Sequence, residues 1–92
     1  MKTDMHMHTD CSDGRLSPEG LLEKCRDAGI RILSFTDHDS IKAYDVPAVQ
    51  EEKEIQIVRG IEISASISGR EVHLLGYGFD DQNDEIRSYC ME

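Results

Sequence analysis

The sequence has no apolar run long enough to span a bilayer and no basic-then-apolar leader, so the expectation is a cytoplasmic protein with no membrane partner. It also lacks a basic excess. A net charge of -9, from 10 Lys and Arg against 19 Asp and Glu, excludes a general nucleic-acid or anionic-membrane surface, which needs a contiguous basic patch. A small phosphorylated substrate remains compatible with that charge. Cys11, Cys25 and Cys90 are odd in number and show no paired spacing, so neither a disulfide framework nor a zinc ribbon is indicated and all three read as reduced thiols. Cys11 reads as a small residue fitted into a tight loop rather than as a soft metal ligand. There is no Ser or Cys nucleophile motif, no phosphate-cradling glycine loop, no internal repeat and no low-complexity tract.

What is present is a polar but globular composition, 38% apolar and 32% charged, with the apolar residues gathered into periodic segments. Its 92 residues suit one domain with a modest core, burying roughly two thirds of the surface that the unfolded chain exposes. Thr3 to His8 alternates as a short strand. Thr9 to Gly14 is small and polar, carries the turn pair Asp13-Gly14, and folds back as a loop. Ser17-Pro18-Glu19 starts a helix, with Ser17 as N-cap, and Leu21, Leu22, Cys25 and Ala28 follow at helical spacing before Gly29. The helix is predicted over Pro18 to Ala28. Ile30 to Thr36 is a buried second strand, parallel to the first across a right-handed crossover.

Asp37-His38-Asp39-Ser40 is the loop leaving that strand. Asp45-Val46-Pro47 interrupts the helical character of Ile41 to Gln50, which predicts a helical turn and then a helix from Pro47 to Lys53. Ile55 to Ile63 starts a third strand, and Glu71 to Tyr77 is a second β-rich run that follows across the hairpin turn Ser68-Gly69. With those two residues in the turn, Ile67 pairs with Arg70 and Ser64 with His73, so His73 shares a face with Glu62; a bulge at Gly60 or Gly76 would break this register. Beyond Phe79 the chain is acidic, with Asp80, Asp81, Asp84 and Glu85, and Glu85 to Tyr89 is expected to add a helical turn.

The candidate site residues are His6, His8, Asp13, Asp37, His38, Asp39, Glu62 and His73. On a strand, His6 and His8 project from one face and can grip one ion. Taken singly, His38 and His73 are more often ordinary half-buried histidines, and Asp37 and Asp39 have a plain reading as caps of the next helix, a role Ser40 could also fill. Glu62 is harder to explain away: a carboxylate between Ile61 and Ile63 is costly to bury unless something positive meets it. Mixed imidazole and carboxylate donors suit zinc, manganese or iron, and more than four of them indicate two or three divalent ions. Ions a few ångströms apart, bridged by a carboxylate such as Glu62, generate hydroxide at neutral pH and hydrolyse phosphate esters without a protein nucleophile.

His6-x-His8 with Ser12-Asp13-Gly14, Ser17-Pro18-Glu19, Thr36-Asp37-His38-Asp39, Gly60-Ile61-Glu62-Ile63-Ser64 and Val72-His73-Leu74-Leu75-Gly76-Tyr77 together resemble the N-terminal part of a PHP domain, the polymerase and histidinol phosphatase family. The likeness is greatest to its stand-alone metal-dependent phosphoesterases, some of which act on nucleoside 3',5'-bisphosphates or short oligonucleotides. It implies an α/β fold of truncated (β/α)7 barrel type, about half a barrel, as βαβαβ plus a β-hairpin. The matching motifs cover residues 1–79, and 80–92 form an acidic tail. It further implies that His6 and His8 hold a first ion, that Glu62 bridges the first and second, that His73 holds the second, and that Asp13 and His38 hold a third.

Glu62, His38 and Asp13 are thereby the catalytic candidates, with Asp37 and Asp39 orienting His38 or capping the next segment. Family members supply later ligands, commonly a histidine and an Asp-x-His pair, whereas His73 is the last histidine here. The implied activity is hydrolysis of phosphate mono- or diesters on a small phosphorylated substrate or short oligonucleotide, with Arg15 and Arg70 as candidate phosphate contacts. An uncovered sheet edge and apolar surface favour a homo-oligomer. The alternative is a non-catalytic metal-binding or interaction module left from a truncated domain; a third reading, unrelated surface acids and histidines, leaves the ordered motifs unexplained.

Overall fold

The computed structural model describes residues 2–78 together with Ile86, Arg87 and Cys90. Ile86 and Arg87 are helical, while the rest of the turn expected over Glu85 to Tyr89, the acids from Asp80 to Glu85 and Phe79 lie outside the described residues. The elements run β1 (Lys2–Met7), α1 (Pro18–Asp27), β2 (Ile30–Phe35), a 3-10 turn (Lys42–Asp45), α2 (Pro47–Gln50), β3 (Gln56–Ile57), β4 (Gly60–Ile67) and β5 (Arg70–Tyr77). β2 lies between β1 and β3 in a parallel sheet, and β4 and β5 form an antiparallel hairpin. No helix among the described residues is long and apolar enough to cross a membrane.

The start of α1 follows its cap. Ser17 is extended, its Oγ accepts the Gly20 N–H at 3.1 Å, and Pro18 supplies a first residue whose missing N–H costs nothing there. Gly29 leaves the helix at φ 80, a left-handed conformation that suits glycine, and the helix closes at Asp27, one residue before the predicted end. Its Leu22 and Cys25 pack on Leu33 and Phe35 of β2, with Ile41, Ala43, Tyr44, Val49, Ile55 and Ile61 completing the buried cluster. From Leu33 to Asp37 every residue is buried, as expected for the central strand of a parallel sheet.

Two expectations are corrected. The helix predicted from Pro47 to Lys53 stops at Gln50. Glu52 ends it: Oε2 accepts the N–H groups of Glu54 (2.8 Å) and Ile55 (3.1 Å), and Oε1 pairs with Arg26, so the side chain satisfies backbone donors outside any helix. The third strand, predicted to start over Ile55 to Ile63, is broken there into β3 and the first residues of β4. Both pieces keep one offset along the β2 segment, at Leu33 with Ile57 and at His38 with Glu62, the second an isolated parallel bridge.

Between them the Tyr44 hydroxyl is inserted. It donates to Phe35 O at 2.6 Å and accepts the Gly60 N–H at 2.8 Å, replacing ladder bonds that the two segments would otherwise make directly. Gly60 makes the close approach possible, since a Cβ there would come within 2.0 Å of Ser34 Oγ and 2.8 Å of Thr36 Cγ2.

The hairpin register is as predicted: Ile67 pairs with Arg70 and Ser64 with His73, unbroken from Gly60–Tyr77 onward and free of a bulge at Gly60 or Gly76. Ser68 (φ 52) and Gly69 (φ 77) both adopt positive φ, the mark of a two-residue turn that matches strand twist. The Tyr77 hydroxyl donates to Met5 O at 2.6 Å and ties the hairpin to β1. Ile67, Leu74, Leu75 and Tyr77 remain exposed on it.

Candidate metal centre

Five segments meet at the C-terminal end of the parallel strands. β1 and the residue after it carry His6 and His8, the following loop carries Asp13, the loop after β2 carries His38, β4 carries Glu62 and β5 carries His73. Glu62 is at the centre, its side chain 6% exposed. Its Oε1 lies 2.8 Å from His6 Nε2 and 3.0 Å from His8 Nε2, and its Oε2 lies 2.8 Å from His73 Nδ1 and 3.4 Å from His38 Nδ1. Asp13 closes a second connection, with Oδ1 at 2.6 Å from His8 Nδ1 and Oδ2 at 3.1 Å from His38 Nε2.

These contacts resolve into three groups whose donor atoms lie within 4.8 Å of one another: His6, His8 and Glu62; His8, Asp13 and His38; and His38, Glu62 and His73. Each pair of groups shares one residue. The shared residues Glu62, His8 and His38 form a floor with side chains 6%, 20% and 26% exposed, and the unshared His6, Asp13 and His73 form a rim at 54%, 61% and 44%. All six sequence candidates for ligation are thus brought together.

The donor set fits divalent cations. Six residues bring oxygen and nitrogen donors together from five segments, and a carboxylate as buried as Glu62 has a positive charge as its natural partner. A neutral imidazole offers one lone pair, so His8 and His38 can each ligate on only one side, whereas the two oxygens of Glu62 can serve two ions. Burial works to raise the Glu62 carboxyl, but hydrogen bonds with His6 and His8 and the charge of His38 and His8 bring it below its ordinary value. Desolvation likewise opposes Asp13, and His8 and His38 hold it low. His73 is raised, first by its hydrogen bond with Glu71, against desolvation, and then by the charge of Glu62.

Asp37 and Asp39 do not cap the next helix. The 3-10 turn begins after Ile41, and it is Ser40 whose Oγ accepts the N–H of its first residue, Lys42, at 3.3 Å; Asp37 binds the loop after β1, and Asp39 binds β4. Gly14 permits the loop to fold by close approach rather than by a left-handed turn: a Cβ there would meet His8 O at 2.2 Å. Arg15 and Arg70 are exposed, the first just beyond Asp13 and the second at the turn end of the hairpin. Thr9, Ser12 and Tyr44 are the positioning side chains that sequence reading missed. A hydroxyl directly after His-x-His was the one available signal.

A family profile described as the PHP domain matches residues 4–87. The chain belongs to the PHP domain family. A 5'-3' exoribonuclease from Haemophilus influenzae is 38% identical over 86 residues, covering 92% of this chain and 31% of that protein. A phosphoribosyl 1,2-cyclic phosphate 1,2-diphosphodiesterase from Eggerthella lenta is 34% identical over 93 residues, covering 98% of this chain and 36% of that protein. A solved structure from Bifidobacterium adolescentis, inferred to be a metal-dependent phosphoesterase, superposes with a TM-score of 0.83 at 30% identity, covering 98% of this chain and 32% of that one. The chain therefore spans about a third of the length of these PHP relatives, and its fold is a part of the PHP-type barrel.

Proposed function

We propose that this PHP domain segment carries the ion-binding part of a phosphoesterase centre that hydrolyses phosphate mono- or diesters. The observation that carries the reading is the buried Glu62 carboxylate with the ring nitrogens of His6, His8, His38 and His73 at 2.8, 3.0, 3.4 and 2.8 Å. In this reading His6 and His8 hold one ion with Glu62, Glu62 and His73 hold a second, and Asp13 and His38 hold a third. When bound, divalent ions there lower the pKa of water toward about 7 and neutralise charge on phosphoryl oxygens.

The protein's own part is to hold the donors and leave one side open. Glu62 supplies one oxygen to each of two groups from the floor, and the half-exposed His6, Asp13 and His73 frame an opening through which a phosphate group can enter. An acidic chain with an open, compact centre suits a small phosphorylated molecule or the end of a short oligonucleotide better than an extended nucleic acid. The PHP relatives named as an exoribonuclease and a cyclic phosphate diesterase point to the same class of substrate.

The test is elemental analysis of protein purified without chelator or histidine tag, followed by assays on nucleoside phosphates and short RNA. The expected result is two or three ions per chain and a phosphoesterase rate, both lost in Glu62→Gln and His8→Ala. Ions without turnover on any phosphoester would leave a binding module in place of the enzyme, and unchanged metal content in both variants would refute the assignment of the donors.

A further inference from the structure

The geometry points to Asp37 and Asp39 as two positioning residues that act in opposite directions, each tying the His38 loop to a different ligand-bearing segment and each thereby governing a different donor group. The inference rests on the metal-centre reading above. His38 belongs to two groups, so its loop must be fixed at once against Asp13 and against the Glu62–His73 hairpin.

Asp37 supplies the first tie. It is 1% exposed, and its carboxylate takes three hydrogen bonds from the segment between His8 and Asp13. Oδ1 accepts the Thr9 N–H at 2.6 Å and the Ser12 hydroxyl at 2.7 Å, and Oδ2 accepts the Thr9 hydroxyl at 2.7 Å. Thr9 directly follows His8, and Ser12 directly precedes Asp13. The carboxylate therefore grips both ends of the loop that presents Asp13 to His38.

Asp39 supplies the second tie. Its Oδ1 accepts the Ser64 N–H at 3.0 Å and its own N–H donates to Glu62 O at 2.9 Å, so it binds β4 on both sides of Ile63. Ser64 is the residue paired with His73 across the hairpin. Asp39 itself sits at φ 49, a left-handed conformation that Asp and Asn tolerate better than other side-chain-bearing residues. Both acids hold donors in place without belonging to any of the three groups. Partners of this kind typically change metal affinity by roughly 10- to 100-fold when they are lost.

The experiment is a zinc titration of the whole chain, read by the ring nitrogen NMR signals of His6, His8, His38 and His73, with thermal unfolding recorded in parallel. In the wild type all four rings move as zinc binds. Asp37→Asn offers one acceptor oxygen where the carboxylate offered two, and Ser12→Ala removes one tie from a half-buried loop with little risk to folding. Both are expected to raise the zinc needed at His38 by roughly tenfold or more while His6 and His73 respond as in the wild type. Asp39→Ala is expected to raise the zinc needed at His73 instead, and Asp39→Asn, which keeps the acceptor and the left-handed preference, restores it.

Variants that bind zinc as the wild type does would overturn the proposal. So would variants in which all rings lag equally, because that is the behaviour of general support to the fold. No ring movement in the wild type would overturn the metal-centre reading itself, and this proposal with it.

Discussion

Tyr44→Phe removes a single oxygen and keeps the ring, so it isolates what the inserted hydroxyl contributes. That oxygen makes two short bonds inside the protein, to Phe35 O at 2.6 Å and from the Gly60 N–H at 2.8 Å, and lies at a longer 3.3 Å from Gly60 O. Removing it strands a buried carbonyl and a buried N–H, each worth about 1–3 kcal/mol. With the strands at their present spacing the loss is therefore about 2–6 kcal/mol, a large share of the roughly 5–15 kcal/mol that holds a typical domain together. Closure of the gap would recover part of it, but Ser34 and Thr36 already crowd Gly60 and resist that movement. The assay is urea unfolding followed by circular dichroism against the wild type, with a common slope. A loss below about 0.5 kcal/mol would refute the claim that the hydroxyl substitutes for ladder bonds.

Glu52 should shape the acid limb of stability. Burial works to raise its carboxyl, but Arg26 and the N–H groups of Glu54 and Ile55 hold it below the ordinary 4.5. Because the folded value is the lower one, the contribution is complete above about pH 4.5 and is lost as pH falls through the folded value, so Glu52→Gln flattens urea midpoints measured from about pH 6 to about pH 3. Two glycine substitutions should differ in kind. Gly14→Ala drives a Cβ to 2.2 Å from His8 O and 2.7 Å from Thr9 O, costs about 1–3 kcal/mol and displaces the Asp13 loop, which weakens zinc binding in the same titration. Gly69→Ala meets nothing within 4 Å and pays only for its φ of 77, about 1–2 kcal/mol by denaturation, with zinc binding unchanged.

Local rules carried far in this chain. Period-two alternation and a two-residue turn sufficed to pair Ser64 with His73, and from that register followed the meeting of His73 with Glu62. The cap at Ser17 and the shared face of His6 and His8 are equally local. What escaped sequence reading depends on distant partners. Tyr44 looks like an ordinary aromatic in a helical turn, and only its neighbours 9 and 16 residues away reveal it as a spacer that splits a predicted strand. Asp37 reads as a helix cap until Thr9, 28 residues earlier, claims it. Glu52 is a good helix former by propensity, yet its own carboxylate and Arg26 end the helix before it.

The sharing of residues among the three donor groups grades the centre's tolerance to genetic drift. Loss of a rim residue, His6, Asp13 or His73, removes one group and leaves two whole, whereas loss of Glu62, His8 or His38 leaves one. In the proposed reading a lineage can therefore experiment at any ligand of a single ion, exchanging ion number and the shape of the opening in single steps. At Glu62 no such path exists, because its two oxygens serve two groups and its loss breaks both.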